Sequence, residues 1–385
     1  MTSETAGRLV GEAVRIGEEV AGPAADDVDR KARFPTEAME AMRSAHLLSV
    51  LVPSDLGGDG VSIGEVAEVV GVLARHCAST AMIYAMHQMQ VACLVRHGRS
   101  ELLRDYQKAI VDRQLLLASA TTEIGVGGDI RTSVCAVERR DGRFTLEKKA
   151  PVISYGESAD GVLATARRSP ESPPSDQVLV LCREPGLTLE ATSGWDTLGF
   201  RGTCSLGFSL RAEGDERQVL DDPFADIASR TMLPVSHVLW SSVWLGLAAA
   251  AVDRARRFVR TEARKNPGVT SPAAVRLSEL MTVFQQMEAL VHGAARTYDE
   301  VYDDVETLSG MGFAIAMNGL KVSASTLVVD IVGKALMICG IAGYREDSPY
   351  SLGRLLRDAY GAAVMVNNDR IIANNAQMLL VHKED

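Results

Sequence analysis

The chain is poor in aromatic residues, 5% of the total, and its six cysteines (Cys77, Cys93, Cys135, Cys182, Cys204, Cys339) include no CxxC pair. Cysteines scattered in this way fit neither a disulfide frame nor a zinc site, so reduced core thiols in a cytoplasmic protein are expected, with no metal. Basic residues are the minority, 40 Lys and Arg against 50 Asp and Glu, and no Lys/Arg block forms a phosphate-binding stripe. Nucleic acid is thereby disfavoured as a partner. Apolar runs such as "VWLGLAAAAV", residues 243–252, are short of the ~20 residues a bilayer requires. That run flows at helical spacing into "DRARRFVRTEARK", the pattern of a buried core helix rather than a membrane span. The opening "MTSETAGRLVGEAVRIGEEV" carries acidic residues inside a helical pattern, where a signal peptide would need a basic flank and an apolar run, so no export is expected.

What the sequence does have is enough apolar surface, 46% of 385 residues, for two or three packed layers. From about Ser3 to Gln107 the hydrophobic period is helical, broken by the turn chemistry of "LVPSDLGGDG". Between about Leu115 and Asp221 the period shortens: "LLLASATT", "SVCAVERR", "RFTLEKK", "GVLATAR", "QVLVLCR" and "LGFSLRA" are short, rich in Val, Leu and Thr, and separated by Gly, Pro and Ser. "RRSPESPPSDQ" predicts a polar hairpin or loop among them. After "DDPFAD" the helical period returns in long segments near Met232–Lys265, Ser271–Tyr302, Gly312–Gly340 and Leu352–Val381. The expected fold is α+β, mostly α: an N-terminal helical domain (1–114), a middle β-barrel or sandwich domain (115–222) and a C-terminal four-helix bundle (223–385). With no βαβ alternation, a Rossmann fold is disfavoured.

Six segments in order carry a resemblance. "LVPSDLGGDGVS", "TTEIGVGGD" (Thr121–Asp129), "VISYGESAD" (Val152–Asp160), "WDTLGFRGTCS" (Trp195–Ser205), "CGIAGY" and "RDA" are similar to the motifs of the acyl-CoA dehydrogenase superfamily over nearly the whole chain. Any one alone is weak; "TTEIGVGGD" by itself reads as a tight loop between strands. The resemblance implies FAD held between the β domain and the bundle, in a homotetramer or homodimer. It assigns cofactor contacts to Thr121, Thr122, Gly127, Gly128, Ile153, Ser154, Arg264, Gly340 and Asn368, with Ser154 in the place of the threonine that faces flavin N5. Gly-rich turns let backbone N–H groups approach a pyrophosphate, and a hydroxyl can bond the flavin edge.

The chain departs from that pattern where the chemistry sits. Nine residues after Arg357, where the family has glutamate, stands Val366, followed by Asn367 and Asn368. The alternative base position, ten residues before Gly246, is Ser236. A positioned base contributes roughly 10²–10⁴-fold, and neither residue carries a carboxylate. Substitutes are sought in Asp369, His237 and His87, although Asp369 beside Arg370 also reads as a surface ion pair and a lone His among Met and Tyr as a core residue. In "ARKNPGVTSP" the family's Phe is missing after Arg264, and in "MICGIAGY" Met337 and Ile341 replace the usual Gln and Gly. FMN or a diffusible reduced flavin are therefore alternatives to FAD. Trp240 and Trp244 share a helix face with Ser236; with Tyr155 and Val366 they are the expected pocket, against the plain alternative that tryptophans on one stripe are core. Three functions follow from the resemblance. The first is a flavin-dependent oxidoreductase acting on an acyl thioester of CoA or a carrier protein. The second is a flavin monooxygenase of the same fold, with His87, Ser154 and Tyr155 near the flavin. The third is a non-catalytic subunit of a mixed assembly.

Overall fold

The computed structural model describes residues 3–127, 129–265 and 267–382. The N-terminal third is helical: α1 (Ser3–Ile16), α2 (Gly22–Lys31), α3 (Thr36–Ser44), α4 (Ile63–Ala74), α5 (Ala78–His97) and α6 (Glu101–Arg113). Their starts are written in the sequence. Ser62 and Glu65 form a reciprocal capping box on α4, Ser62 N–H donating to Glu65 Oε2 at 2.8 Å and Glu65 N–H to Ser62 Oγ at 3.2 Å, and Ser100 caps α6. Helix α5 is buried around most of its circumference, as a helix without a polar face must be.

The β domain is two sheets. One is three-stranded in the order β1 (Leu117–Ala120), β4 (Gly161–Arg167), β5 (Gln177–Arg183), with β1 parallel to β4. The other is antiparallel in the order β2 (Glu138–Arg140), β3 (Arg143–Ile153), β7 (Leu206–Asp215), β6 (Leu187–Ser193). Strand β3 alternates exposed and buried residues, so its even-numbered side chains Phe144, Leu146 and Ala150 enter the core. Lys148 enters with them, and its charge is met by buried Glu123 at 3.2 Å and by Thr165 O at 2.8 Å. The proline-rich stretch is the β4–β5 hairpin loop. Strand β6, "LTLEATS", was not expected from the sequence: it lies at a sheet edge, largely exposed, and lacks the apolar run that marks its neighbours.

The bundle comprises α7 (Phe224–Ile227), α8 (Leu233–Lys265), α9 (Pro272–Glu300), α10 (Val305–Ser309), α11 (Met311–Cys339), α12 (Ile341–Tyr344), α13 (Gly353–Met365) and α14 (Asn368–Leu379). By length and composition alone α8 and α11 could cross a membrane, but the apolar window of α8 is 94% buried inside the fold. It is a core helix, packed against α4, α5, α9 and α11. The expected single helix over Leu352–Val381 is corrected to two. Val366 is extended (φ −125, ψ 113), and the Asn367 side chain accepts from Asp369 N–H at 2.8 Å to start α14.

Helix α13 ties the bundle to the rest. Asp358 accepts the Phe200 N–H at 2.6 Å, Arg357 reaches Asp29 of α2, and Arg354 reaches Asp26 at 3.1 Å. Burial pushes the Asp358 carboxyl up to about 6, against the pull of Arg354. The folded state thus holds this proton more tightly than the unfolded chain, and the stabilisation it contributes is lost as pH rises from about 4 to about 6. Asp358→Asn keeps an acceptor for Phe200 and cannot ionise. Relative to the parent it should gain about 2–3 kcal/mol between pH 4 and pH 8 in urea unfolding; a difference that does not change with pH contradicts the raised pKa.

Candidate functional site

Three segments far apart in sequence meet along the edge of the β domain that faces α13 and α14. The first leaves β1 at Thr121. Gly125 (φ +104) and Gly127 (φ +59) turn it through the left-handed region that favours glycine. Glu123 pins it from inside, accepting Val134 N–H at 3.1 Å and Cys135 N–H at 2.7 Å besides Lys148. Thr122 Oγ1 donates to Val152 O at 3.0 Å, and Arg370 of α14 donates to Gly127 O at 2.6 Å. Thr121 is half-buried at the start of this loop, and Gly128 lies outside the described residues.

The second and third segments meet in a chain of hydroxyls. Thr203 Oγ1 donates to Phe200 O at 2.8 Å; Ser205 lies 2.8 Å from Thr203, and Ser154 2.8 Å from Ser205. A carbonyl can only accept, so the proton order is fixed: Thr203 gives its hydrogen to Phe200, Ser205 donates to Thr203, and Ser154 donates to Ser205. Half-buried Ser154 therefore keeps lone pairs, and no hydrogen, for a ligand. Ile153 beside it is fully buried in the β core.

On the bundle side, at the break between α13 and α14, sits Lys321 of α11. Its ammonium is buried; it donates to Val366 O and, at 2.6 Å, to Asn368 Oδ1, and lies 5.8 Å from the centre of the Trp244 ring. Asn368 Nδ2 in turn donates to Ser325 Oγ at 3.0 Å. Among the described residues no carboxylate pairs with Lys321, and burial brings its pKa down to about 8. Lys321 was missed in the sequence, yet a signal is there: it shares the buried stripe Met317, Lys321, Ala324, Val328, Ile331, Ala335, spaced by alternating fours and threes.

His237 of α8 faces the same stripe. Its Nδ1 donates to Met317 O at 3.1 Å, and burial, with the charge of Lys321, lowers the ring to about 4. The ring is neutral at pH 7, with a lone pair on Nε2. Ser236 bonds back to Leu233 O at 2.7 Å within its own helix. The indole N–H groups of Trp240 and Trp244 are buried without partners, as are the Ser241, Thr80 and Ser119 hydroxyls and the Gln90 amide. These orphans lie on α5, α8 and β1, which pack together, and a buried donor without a partner costs about 1–3 kcal/mol. Two open concavities at the surface, about 460 and 310 Å³, lie elsewhere, one beside α1 with Arg8, Glu12, Arg15 and Asp59 in its lining and one beside Arg217 with Arg139, Arg168 and Glu216.

Several expected residues are placed differently. His87 is a core histidine, not a base: Leu117 N–H donates to its Nδ1 at 3.0 Å, its Nε2 donates to Leu48 O at 2.7 Å, and burial lowers it to about 4. Tyr155 is fully buried with its hydroxyl given to Leu117 O at 2.9 Å, so it supports the wall without offering a group to the pocket. The side chain of Asn368 is occupied by Lys321 and Ser325 rather than free for a cofactor. Asp369 is exposed in the first turn of α14, and Arg370 turns away to Gly127 instead of pairing with it. Arg264, exposed at the end of α8, and Gly340 (φ +56), the exposed C-cap of α11, stand where the contacts expected of them are not contradicted. His87→Ala should cost roughly 2–5 kcal/mol in urea unfolding, because it strands a buried N–H and a buried carbonyl; a loss below about 0.5 kcal/mol contradicts the two-bond role.

Residues 3–114 match the acyl-CoA dehydrogenase N-terminal domain, and residues 226–366 the acyl-CoA dehydrogenase C-terminal domain. Cyclohex-1-ene-1-carbonyl-CoA dehydrogenase of Syntrophus aciditrophicus is 22% identical over 356 residues, 91% of this chain and 83% of its own. Among solved structures, FMN-bound TdsC, a dibenzothiophene monooxygenase from Paenibacillus sp. A11-2, superposes with a TM-score of 0.86 at 19% identity over 98% of both chains. Butyryl-CoA dehydrogenase from Megasphaera elsdenii does so with 0.81 at 18% over 99% of both. With both helical domains matched in order and the motif segments converging on one edge, the chain belongs to the acyl-CoA dehydrogenase superfamily.

Proposed function

We propose that the chain is a flavin-dependent oxidoreductase that takes hydrogen from an acyl thioester, carried on CoA or on a carrier protein, with FAD as its flavin. The observation that carries this is the convergence of the Thr121–Gly127 loop, Val152–Ser154 and Phe200–Ser205 on one edge facing the α13–α14 break. A bound flavin would supply the hydride acceptor. The residues present fit one: Ser154 offers lone pairs to a ring N–H, Gly127 has open space where a side chain would stand, and the Glu123–Lys148 pair holds the loop rigid. On the other side Trp240 and Trp244 provide apolar walls with unused N–H donors, suited to excluding water and bonding a carbonyl oxygen.

A second reading has its own support. Neither Val366 nor Ser236 carries a carboxylate, and a hydroxyl that can only accept matches the N–H of a reduced ring better than the bare nitrogen of an oxidised one. Both suit a monooxygenase that takes reduced flavin, FAD, FMN or a diffusible flavin, together with oxygen. Self-association, as a homodimer or homotetramer, is supported by apolar side chains exposed near the C-terminus: Met337, Ile341, Tyr344, Val364 and Leu380. The six unpaired cysteines suit the cytoplasm.

Anaerobic addition of acyl-CoA thioesters to the flavin-loaded protein should bleach the visible flavin band with no reductase present. A band untouched by every thioester, with oxygen uptake once reduced flavin is supplied, would transfer the assignment to the monooxygenase; neither response would exclude both. Ser154→Ala removes the acceptor and should weaken reduced flavin more than oxidised, read as a lower midpoint potential. An unchanged potential contradicts the inferred proton order.

A further inference from the structure

Lys321 has a placement that its structural role alone does not account for. Pinning the α13–α14 break requires two donors, one to Val366 O and one to Asn368 Oδ1. An uncharged amide could supply both without placing a buried charge beside a tryptophan. A lysine nitrogen has one position more. When neutral, it gives its two N–H bonds to these two oxygens and keeps one lone pair; when charged, that position carries a third N–H. Both partners are oxygen acceptors that hold Nζ in place in either state. The surroundings keep the neutral form within reach, since no carboxylate pairs with Nζ among the described residues. His237 on the facing helix α8, which feels the charge of Lys321, is itself neutral, and Asp369 of α14 is exposed.

We propose that Lys321 is the general base of this protein, its Nζ lone pair taking the α proton of the acyl thioester at the position where the side chains of Val366 and Ser236 cannot. The proposal rests on the acyl-thioester reading above. In this step an N–H bond forms at Nζ, the Cα–H bond breaks, and its electron pair remains on the substrate as the thioester enolate, with the carbonyl oxygen carrying the charge. Nothing is oxidised in the proton transfer itself, so it can be observed apart from hydride transfer. The ammonium so formed stays beside the enolate, where its charge stabilises the developing anion.

The test uses the flavin-loaded protein with tert-butylacetyl-CoA, a thioester with α hydrogens and no β hydrogen. Exchange of the α hydrogens with deuterium oxide, followed by NMR, reports the base alone. The parent should exchange, at a rate rising with pH through about 8 as Lys321 loses its proton. Lys321→Met should lose exchange by roughly 10²–10⁴-fold. Lys321→Arg, which retains donors and charge but no accessible lone pair, should lose it equally while keeping the parent's flavin spectrum and thioester affinity. Equal exchange in parent and variants overturns the proposal and leaves the acyl-thioester reading intact. Restoration by Arg reduces Lys321 to a structural pin and overturns it likewise. If the parent neither exchanges this thioester nor reduces its flavin with any acyl-CoA, the acyl-thioester reading fails and the proposal with it.

Discussion

A single buried ammonium organises the bundle side of this molecule. Lys321 is carried into the interior by the apolar stripe of α11, and once there its charge must be met. The structure meets it with oxygens instead of a carboxylate: the carbonyl freed where α13 ends at Val366, and the amide of Asn368 where α14 begins. The helix break and the lysine are therefore one feature. An unbroken helix over this stretch would have spent the Val366 carbonyl on its own ladder and left Lys321 without its acceptor.

The β side is held to the same junction by polar contacts of a different kind. Asp358 reaches from α13 to the Phe200 amide, and Arg370 reaches from α14 to the Gly127 carbonyl, so each half of the broken helix grips one loop of the β domain. Inside the β domain, Glu123 and Lys148 form a buried pair that leaves no slack in the first loop, and the Ser154–Ser205–Thr203 hydroxyls join the other two segments. Loops that meet along one edge are held in this way by groups whose partners are fixed. That is what placement of a reactive ring requires, because losing about an ångström of position can cost two orders of magnitude in rate.

The fold was legible because its signals are local and periodic. Ser62 with Glu65, Ser100 and Ser271 announce helix starts, and the change of period after Leu115 marks the strands. Strand β6 escaped because an exposed edge strand has no buried face to pattern its sequence. The site was less legible. His87 could be weighed as catalytic or core, and only the two bonds to Leu48 and Leu117, about 40 and 30 residues away, decide for the core. Lys321 stood in plain view on an apolar stripe, but a lone lysine in a helix ordinarily snorkels to solvent. Its burial depends on the break at Val366, which propensity alone does not reveal.

The convergence of three β-domain segments on the α13–α14 break, as a flavin cleft, is most directly tested by a crystal structure of the protein with flavin bound. A ring lying along that edge, with one of its N–H groups within hydrogen-bond distance of Ser154 Oγ and its other side toward Lys321 and Trp244, is the predicted result. A flavin bound away from Ser154, or no flavin in crystals grown with a saturating concentration, would contradict it.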